Sequence, residues 1–330
     1  MTRHAVVSRA RHRLANNRFA GLLQGAAVGL TLIGAALVSS PSMAQAVSPV
    51  AASHVAASQV AGAEAGPALW VVRDADSTLY LFGTVHVLKP DTAWSSARVD
   101  QALAASSDIW FEISNPEDTA AIVPLIQRYG ISLDEPLSSL LTPTEMGELD
   151  AAARAVGSNI SQMDPLRPWY AAVALSLAPL TKAGYDPASG VELVLKARAL
   201  EAGKTIHGFE TIEHQVLALA TLPEAVQVDF LRSTLKDFEE AASLLDAMVS
   251  AWAMGDVATL DQVVVQDMKA ESPAIYDALL VRRNVGFADQ IETLLAGSGT
   301  AFIAIGAGHL AGEDSVQAML EARGVPVSRE

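Results

Sequence analysis

The chain has 330 residues, no cysteine, and 37 acidic against 22 basic side chains, a formal charge of −15. That balance lacks the basic footprint that phosphate backbones require, so nucleic acid is not an expected partner. The missing thiols exclude iron–sulfur ligation, a cysteine nucleophile, disulfides and a lipoprotein anchor.

Residues 1–18 carry Arg3, Arg9, Arg11, Arg13 and Arg18 and no acid, an apolar run follows over 19–38, and small residues end in Ala44-Gln45-Ala46. A basic head, an apolar middle and an A-x-A end predict a signal peptide over 1–46, removed on export to the periplasm. The competing reading is an uncleaved anchor, since the apolar run is near spanning length. With cleavage, no stable membrane insertion is expected. Five of the 22 basic residues and no acid lie in 1–46, so the mature charge falls to −20. Residues 47–66, rich in Ala, Ser, Val and Gly, read as a flexible lead-in, and 67–330 as one domain.

From there the chain opens as α/β. Trp70-Val71-Val72-Arg73 and Thr78-Leu79-Tyr80-Leu81-Phe82 flank Asp74-Ala75-Asp76-Ser77, a predicted hairpin. A helix is expected over 96–105 and a strand over 108–113. Thr142-Pro143-Thr144-Glu145 is a capping box with proline at the first helical position. Further helices are expected after Arg167-Pro168, and from a second box, Ser189-Gly190-Val191-Glu192, to a glycine cap at Gly203. A short strand over 204–209 precedes Glu210 and the cap Thr211. One long helix or two in series cover 223–254, and another covers 274–295. Strand 300–305, a helix over 314–322 and Val325-Pro326-Val327 close the chain. The fold class is therefore α/β: a central mixed sheet built from both chain ends, with a helical middle region.

Two distant segments share one frame, Gly83-Thr84-Val85-His86 and Gly306-Ala307-Gly308-His309, each after an apolar strand. With 22 glycines and seven histidines, chance alone gives about 0.5 such frames. The strand context adds weight, because loops at the carboxyl ends of strands are where α/β proteins bind ligands. Side-by-side strands would bring His86 and His309 together; the bland alternative is two loop histidines bonded to backbone. Glu112 follows Ile109-Trp110-Phe111 in an apolar strand, where a buried carboxylate needs a partner. Glu210 stands in the same position after Phe209, with helix capping as its bland alternative. Imidazoles and carboxylates together suit Zn²⁺, Mn²⁺, Fe²⁺ or Co²⁺. Arg283, in Arg282-Arg283-Asn284, is a candidate clamp for a carbonyl oxygen or carboxylate, against a solvated helix face as the commoner case. His207, His214, Trp94, Trp169 and Trp252 read as structural. There is no G-x-S-x-G, no P-loop and no complete G-x-G-x-x-G.

Taken jointly, the first frame with its strand, Phe111-Glu112, the run Gly203-Lys204-Thr205-Ile206-His207-Gly208-Phe209-Glu210-Thr211-Ile212-Glu213-His214-Gln215, Trp252-Ala253-Met254-Gly255-Asp256, Arg283-Asn284, and the second frame through Leu310-Ala311-Gly312 resemble the TraB/PrgY/GumN family, which includes the Tiki-type proteases. Phe209 stands where that pattern usually has leucine. The resemblance implies a fold similar to erythromycin-esterase-like and ChaN-like proteins, and a metal-dependent peptidase activity. It implies His86, Glu112 and His309 around a divalent metal, with Glu210 and Arg283 at recurring positions. The expected function is an exported metal-dependent hydrolase acting on a peptide or protein substrate, in which Glu112 or Glu210 takes a proton from water. The rivals are a non-catalytic periplasmic metal- or haem-binding protein, and an accessory protein for envelope or exopolysaccharide assembly.

Overall fold

A computed structural model describes residues 66–330; the expected signal peptide and nearly all of the lead-in lie outside the described residues. The hairpin forms as expected, with β1 (Leu69–Arg73) antiparallel to β2 (Ser77–Thr84). After α1 (Ala97–Ala105) come β3 (Asp108–Ile113) and α2 (Thr119–Tyr129), a helix not expected from the sequence. The helical middle runs through α3 (Pro143–Ala155), α4 (Pro168–Lys182) and α5 (Val191–Glu201) to β4 (Thr205–Glu210). It continues through α6 (Ile212–Ala220), α7 (Glu224–Asp237) and α8 (Ala241–Ala253), so 223–254 is two helices in series. The end is α9 (Arg282–Leu295), β5 (Gly299–Gly306), α10 (Val316–Ala322) and β6 (Val327–Arg329).

Among the described residues the strands form one mixed sheet in the order β4-β3-β5-β2-β1-β6. The four from β4 to β2 are parallel, and β1 and β6 add antiparallel pairs at one side. Parallel strands are normally covered on both faces and read as continuous apolar runs. Here Phe82, Ile109, Phe302 and Ala304 face the core under the helical middle. Leu81, Ile303 and Ile305 face Phe287, Ile291, Val316 and Leu320 of α9 and α10. The mixed sheet is thus drawn from both chain ends, with β4 supplied by the middle.

Local chemistry explains most boundaries. At α3, Thr142 and Glu145 make both bonds of the capping box, at 3.3 and 2.7 Å. Thr211 caps α6 by accepting from His214 N–H. The second box does not form: Gly190 is the N-cap of α5, and no side chain caps the helix. The physical reason is that the Glu192 carboxylate is taken by His86 and Thr84. The expected helix over 274–295 is also interrupted, since Asp277–Val281 is π-helical and α9 starts at Arg282. π segments tend to fall at functional positions, and this one directly precedes Arg283 and Asn284. No helix among the described residues is long and apolar enough to cross a membrane.

Candidate active site

β2 and β5 pair in parallel with Gly83 opposite Ile305 and Thr84 opposite Gly306. The two frames therefore leave the sheet side by side at the carboxyl ends of its central strands. Small residues are required there. A Cβ on Gly83 would sit 3.1 Å from Ala307 Cα, and one on Gly190 would sit 2.2 Å from the His86 carbonyl oxygen. The α5 start is thereby pressed against the first frame, with Val191 N–H donating to Val85 O at 3.0 Å. Trp252 closes the other side by donating its indole N–H to Gly83 O at 2.7 Å.

Each histidine is held through Nδ1. His86 Nδ1 lies 2.7 Å from Glu192 Oε1, which also accepts from the Thr84 hydroxyl. His309 Nδ1 lies 2.5 Å from Asn284 Oδ1. Asn284 Nδ2 donates to Asp314 O at 2.7 Å, which fixes the amide so that its oxygen faces the ring. His309 Nδ1 is therefore the N–H donor and Nε2 carries the lone pair. That Nε2 is buried, makes no hydrogen bond among the described residues, and lies 3.6 Å from Glu112 Oε1, too far for one. Burial first, and then the Arg283 charge, push the His309 pKa down to about 3, so the ring is neutral.

Glu112 is 5% exposed and fully engaged. Its Oε1 accepts from Gly306 N–H at 2.7 Å, and Oε2 accepts from Gln215 Nε2 at 3.0 Å and Arg283 Nη2 at 2.5 Å. Burial pushes this carboxyl up, but the Arg283 charge and the Gly306 N–H outweigh it and hold the pKa at about 2. Glu112 is therefore ionised at neutral pH. Glu210 is the opposite case. Burial raises its pKa above the ordinary value, against the pull of Arg283 and with the help of the Glu112 charge.

Arg283 is buried rather than on a solvated face, while its neighbour Arg282 is exposed and pairs with Asp277 at 2.5 Å. The Arg283 guanidinium reaches Glu210 from Nε (2.9 and 3.1 Å) and Nη2 (2.6 Å), Glu112 from Nη2, and Leu279 O from Nη1 at 3.1 Å. A clamp on substrate was the expected role; here the donors engage two carboxylates and the Leu279 carbonyl. Arg283 and Asn284 are consecutive, about 100° apart around the helix, so one turn of α9 serves both the carboxylates and His309.

The five sequence candidates thus converge: Arg283 joins Glu112 to Glu210, His309 Nε2 lies 3.6 Å from Glu112, and His86 leaves the strand paired beside the second frame. Glu192, Asn284, Gln215, Thr84 and Gly190 complete the site. Asn284 and Gln215 were visible as parts of longer shared runs, and Glu192 was hidden inside an apparent cap. His207 lies apart, stacked on Trp110 and 2.9 Å from Asp108. Among the described residues no group of three or more His, Asp or Glu side chains has a metal-holding arrangement. The donors nevertheless fit a borderline divalent ion. Both rings are oriented through Nδ1 by an outer acceptor, the usual support for a metal-ligating histidine, and the His309 Nε2 lone pair is buried against a carboxylate oxygen. Glu112 could join only through Oε1, because Oε2 already accepts twice.

Fold and site together define an α/β protein with a buried His–Glu–Arg centre at the carboxyl ends of parallel strands. The chain belongs to the TraB/PrgY/gumN family, whose family model matches residues 68–329. It is 23% identical over 261 residues to an uncharacterized protein of Treponema pallidum (strain Nichols), covering 75% of this chain and 78% of that protein. No solved structure matches it.

Proposed function

We propose that this protein is an exported, metal-dependent hydrolase of peptide bonds, with residues 1–46 removed as a signal peptide. One observation carries the reading. A neutral imidazole holds its buried Nε2 3.6 Å from an ionised carboxylate, and among the described residues no donor bridges them. Two like-polarity groups held so close in a buried site suit a cation. His86 and His309 would hold it, with Glu112 Oε1 beside them. A divalent ion there would supply a water of lowered pKa and polarise a carbonyl.

The chain's own groups divide the remaining work. Glu192 and Asn284 fix the two rings. Glu112 supplies fixed negative charge and holds Arg283. Glu210, whose pKa burial raises, is the carboxylate suited to accept a proton from water. Arg283 stabilises ionised Glu210 and offers positive charge to a developing oxyanion when that pair loosens.

The test is elemental analysis of the mature protein purified from the envelope fraction, with N-terminal sequencing and a quenched peptide library. About one divalent ion per chain, a mature start near residue 47 and peptide turnover are expected. His86→Ala with His309→Ala should abolish the ion while circular dichroism stays native. Equal metal content in the wild type and the double variant would sink the reading. Glu210→Gln should keep the ion and lower kcat by roughly 10²- to 10⁴-fold. An ion-loaded protein that cuts no peptide would favour the non-catalytic metal-binding alternative.

A further inference from the structure

A chamber of about 480 Å³ opens on the other side of the Arg283–Glu210 pair from Glu112. That volume is within the usual range for a small-ligand site. The ion pair forms one polar end, His214, Arg282 and Gln290 add further polar groups, and Phe209, Ala218, Leu222 and Phe287 supply apolar walls. Phe287 connects the chamber to the chemistry. Its ring meets His309 edge-on at 5.1 Å and lies under Arg283 at 5.5 Å.

Gly286 also lines this chamber, inside α9. Glycine in a helix interior is less stable than alanine. A Cβ at Gly286 would meet nothing within 4 Å, so neither packing nor backbone conformation requires glycine here. What glycine does is leave the wall recessed.

We propose that this chamber binds an apolar side chain of the peptide substrate, of leucine or phenylalanine size, beside the bond handled at the His–Glu–Arg centre. The apolar walls desolvate the side chain, and the charged groups are paired, Arg283 with Glu210 and the exposed Arg282 with Asp277. This inference rests on the peptidase reading for its substrate, and on the chamber alone for its chemistry.

The experiment measures binding and cleavage separately on the mature chain. Ligand-observed NMR follows N-acetyl-phenylalaninamide, N-acetyl-leucinamide and N-acetyl-glycinamide with the wild type, Gly286→Ala, Gly286→Leu and Ala218→Phe. Phe and Leu amides should bind at least 10-fold more tightly than the Gly amide. Gly286→Leu should remove most of that preference. Ala218→Phe fills the chamber from α6 and keeps the test alive if Gly286→Leu misfolds, and Gly286→Ala should fold normally with a slightly higher Tm. Equal binding of all three amides, or an unchanged preference in both filled variants, would overturn the proposal. In parallel, quenched peptides varied at each position should show one apolar preference that is lost in the filled variants. Cleavage with no such preference overturns the chamber while sparing the hydrolase reading. Selective amide binding with no cleavage supports the chamber and defeats the hydrolase reading.

Discussion

Glu112 is the residue on which the site turns, because it accepts from three donors and faces a fourth polar atom. Removing its charge leaves Arg283 buried with Glu210 as the remaining carboxylate partner. Breaking a buried ion pair by deleting one member is strongly destabilising, and retention of Glu210 places the loss at the lower end, about 3 kcal/mol. Glu112→Gln should therefore lower the urea midpoint substantially, whereas Glu210→Gln, on the chamber side, should lower it less. Equal or reversed effects would show that Arg283 depends mainly on Glu210. Glu112 was legible as a site residue because a lone acid in an apolar strand demands a partner. Its role was not legible. Sequence shows that a carboxylate is buried, but whether desolvation or nearby donors win depends on Gly306, Gln215 and Arg283, which come from three distant segments.

At the scale of elements, the two Gly-x-x-His frames were readable because each combines an apolar strand with a glycine exit. Their adjacency followed from β2 and β5 pairing, which no local signal dictates. The start of α5 was misread for a related reason. Ser189-Gly190-Val191-Glu192 has the form of a capping box, but Gly190 is fixed by backbone contact with His86, and Glu192 reaches 2.7 Å from the His86 ring. Local pattern and tertiary demand competed for one carboxylate, and the histidine won. The π segment before α9 escaped notice because periodicity alone does not distinguish it from an α-helix. Gly190→Ala tests the contact directly. Its methyl must displace the His86 carbonyl oxygen, and such overpacking costs about 1–3 kcal/mol. The variant should be less stable by that amount by urea unfolding, and its metal content should fall with it. Wild-type stability and metal content would show that α5 does not position His86.

Across the whole molecule, the charge balance sets how stability responds to pH, and two buried acids pull in opposite directions. Glu112 has its pKa held at about 2, below its ordinary value of 4.5. It therefore contributes stability that is complete above about pH 4.5 and is lost as pH falls toward 2. Asp237, 6% exposed at the end of α7, is pushed up to about 7 from 3.8, first by burial and then by the Glu271 charge. Its unfolded form releases a proton near pH 4 while the folded form keeps it to about 7. Between those values the unfolded chain binds fewer protons, so stability falls as pH rises, then levels off. The acidic surplus, −20 over residues 47–330, adds general self-repulsion in the same direction. The described domain should thus be most stable near pH 4–5. Asp237→Asn should match the wild type at pH 4 and exceed it at pH 8, by at most about 4 kcal/mol. Urea unfolding of both proteins at pH 3, 4, 5 and 8 measures this, and a wild-type curve that is flat from pH 4 to 8, or one that Asp237→Asn leaves unchanged, would refute it.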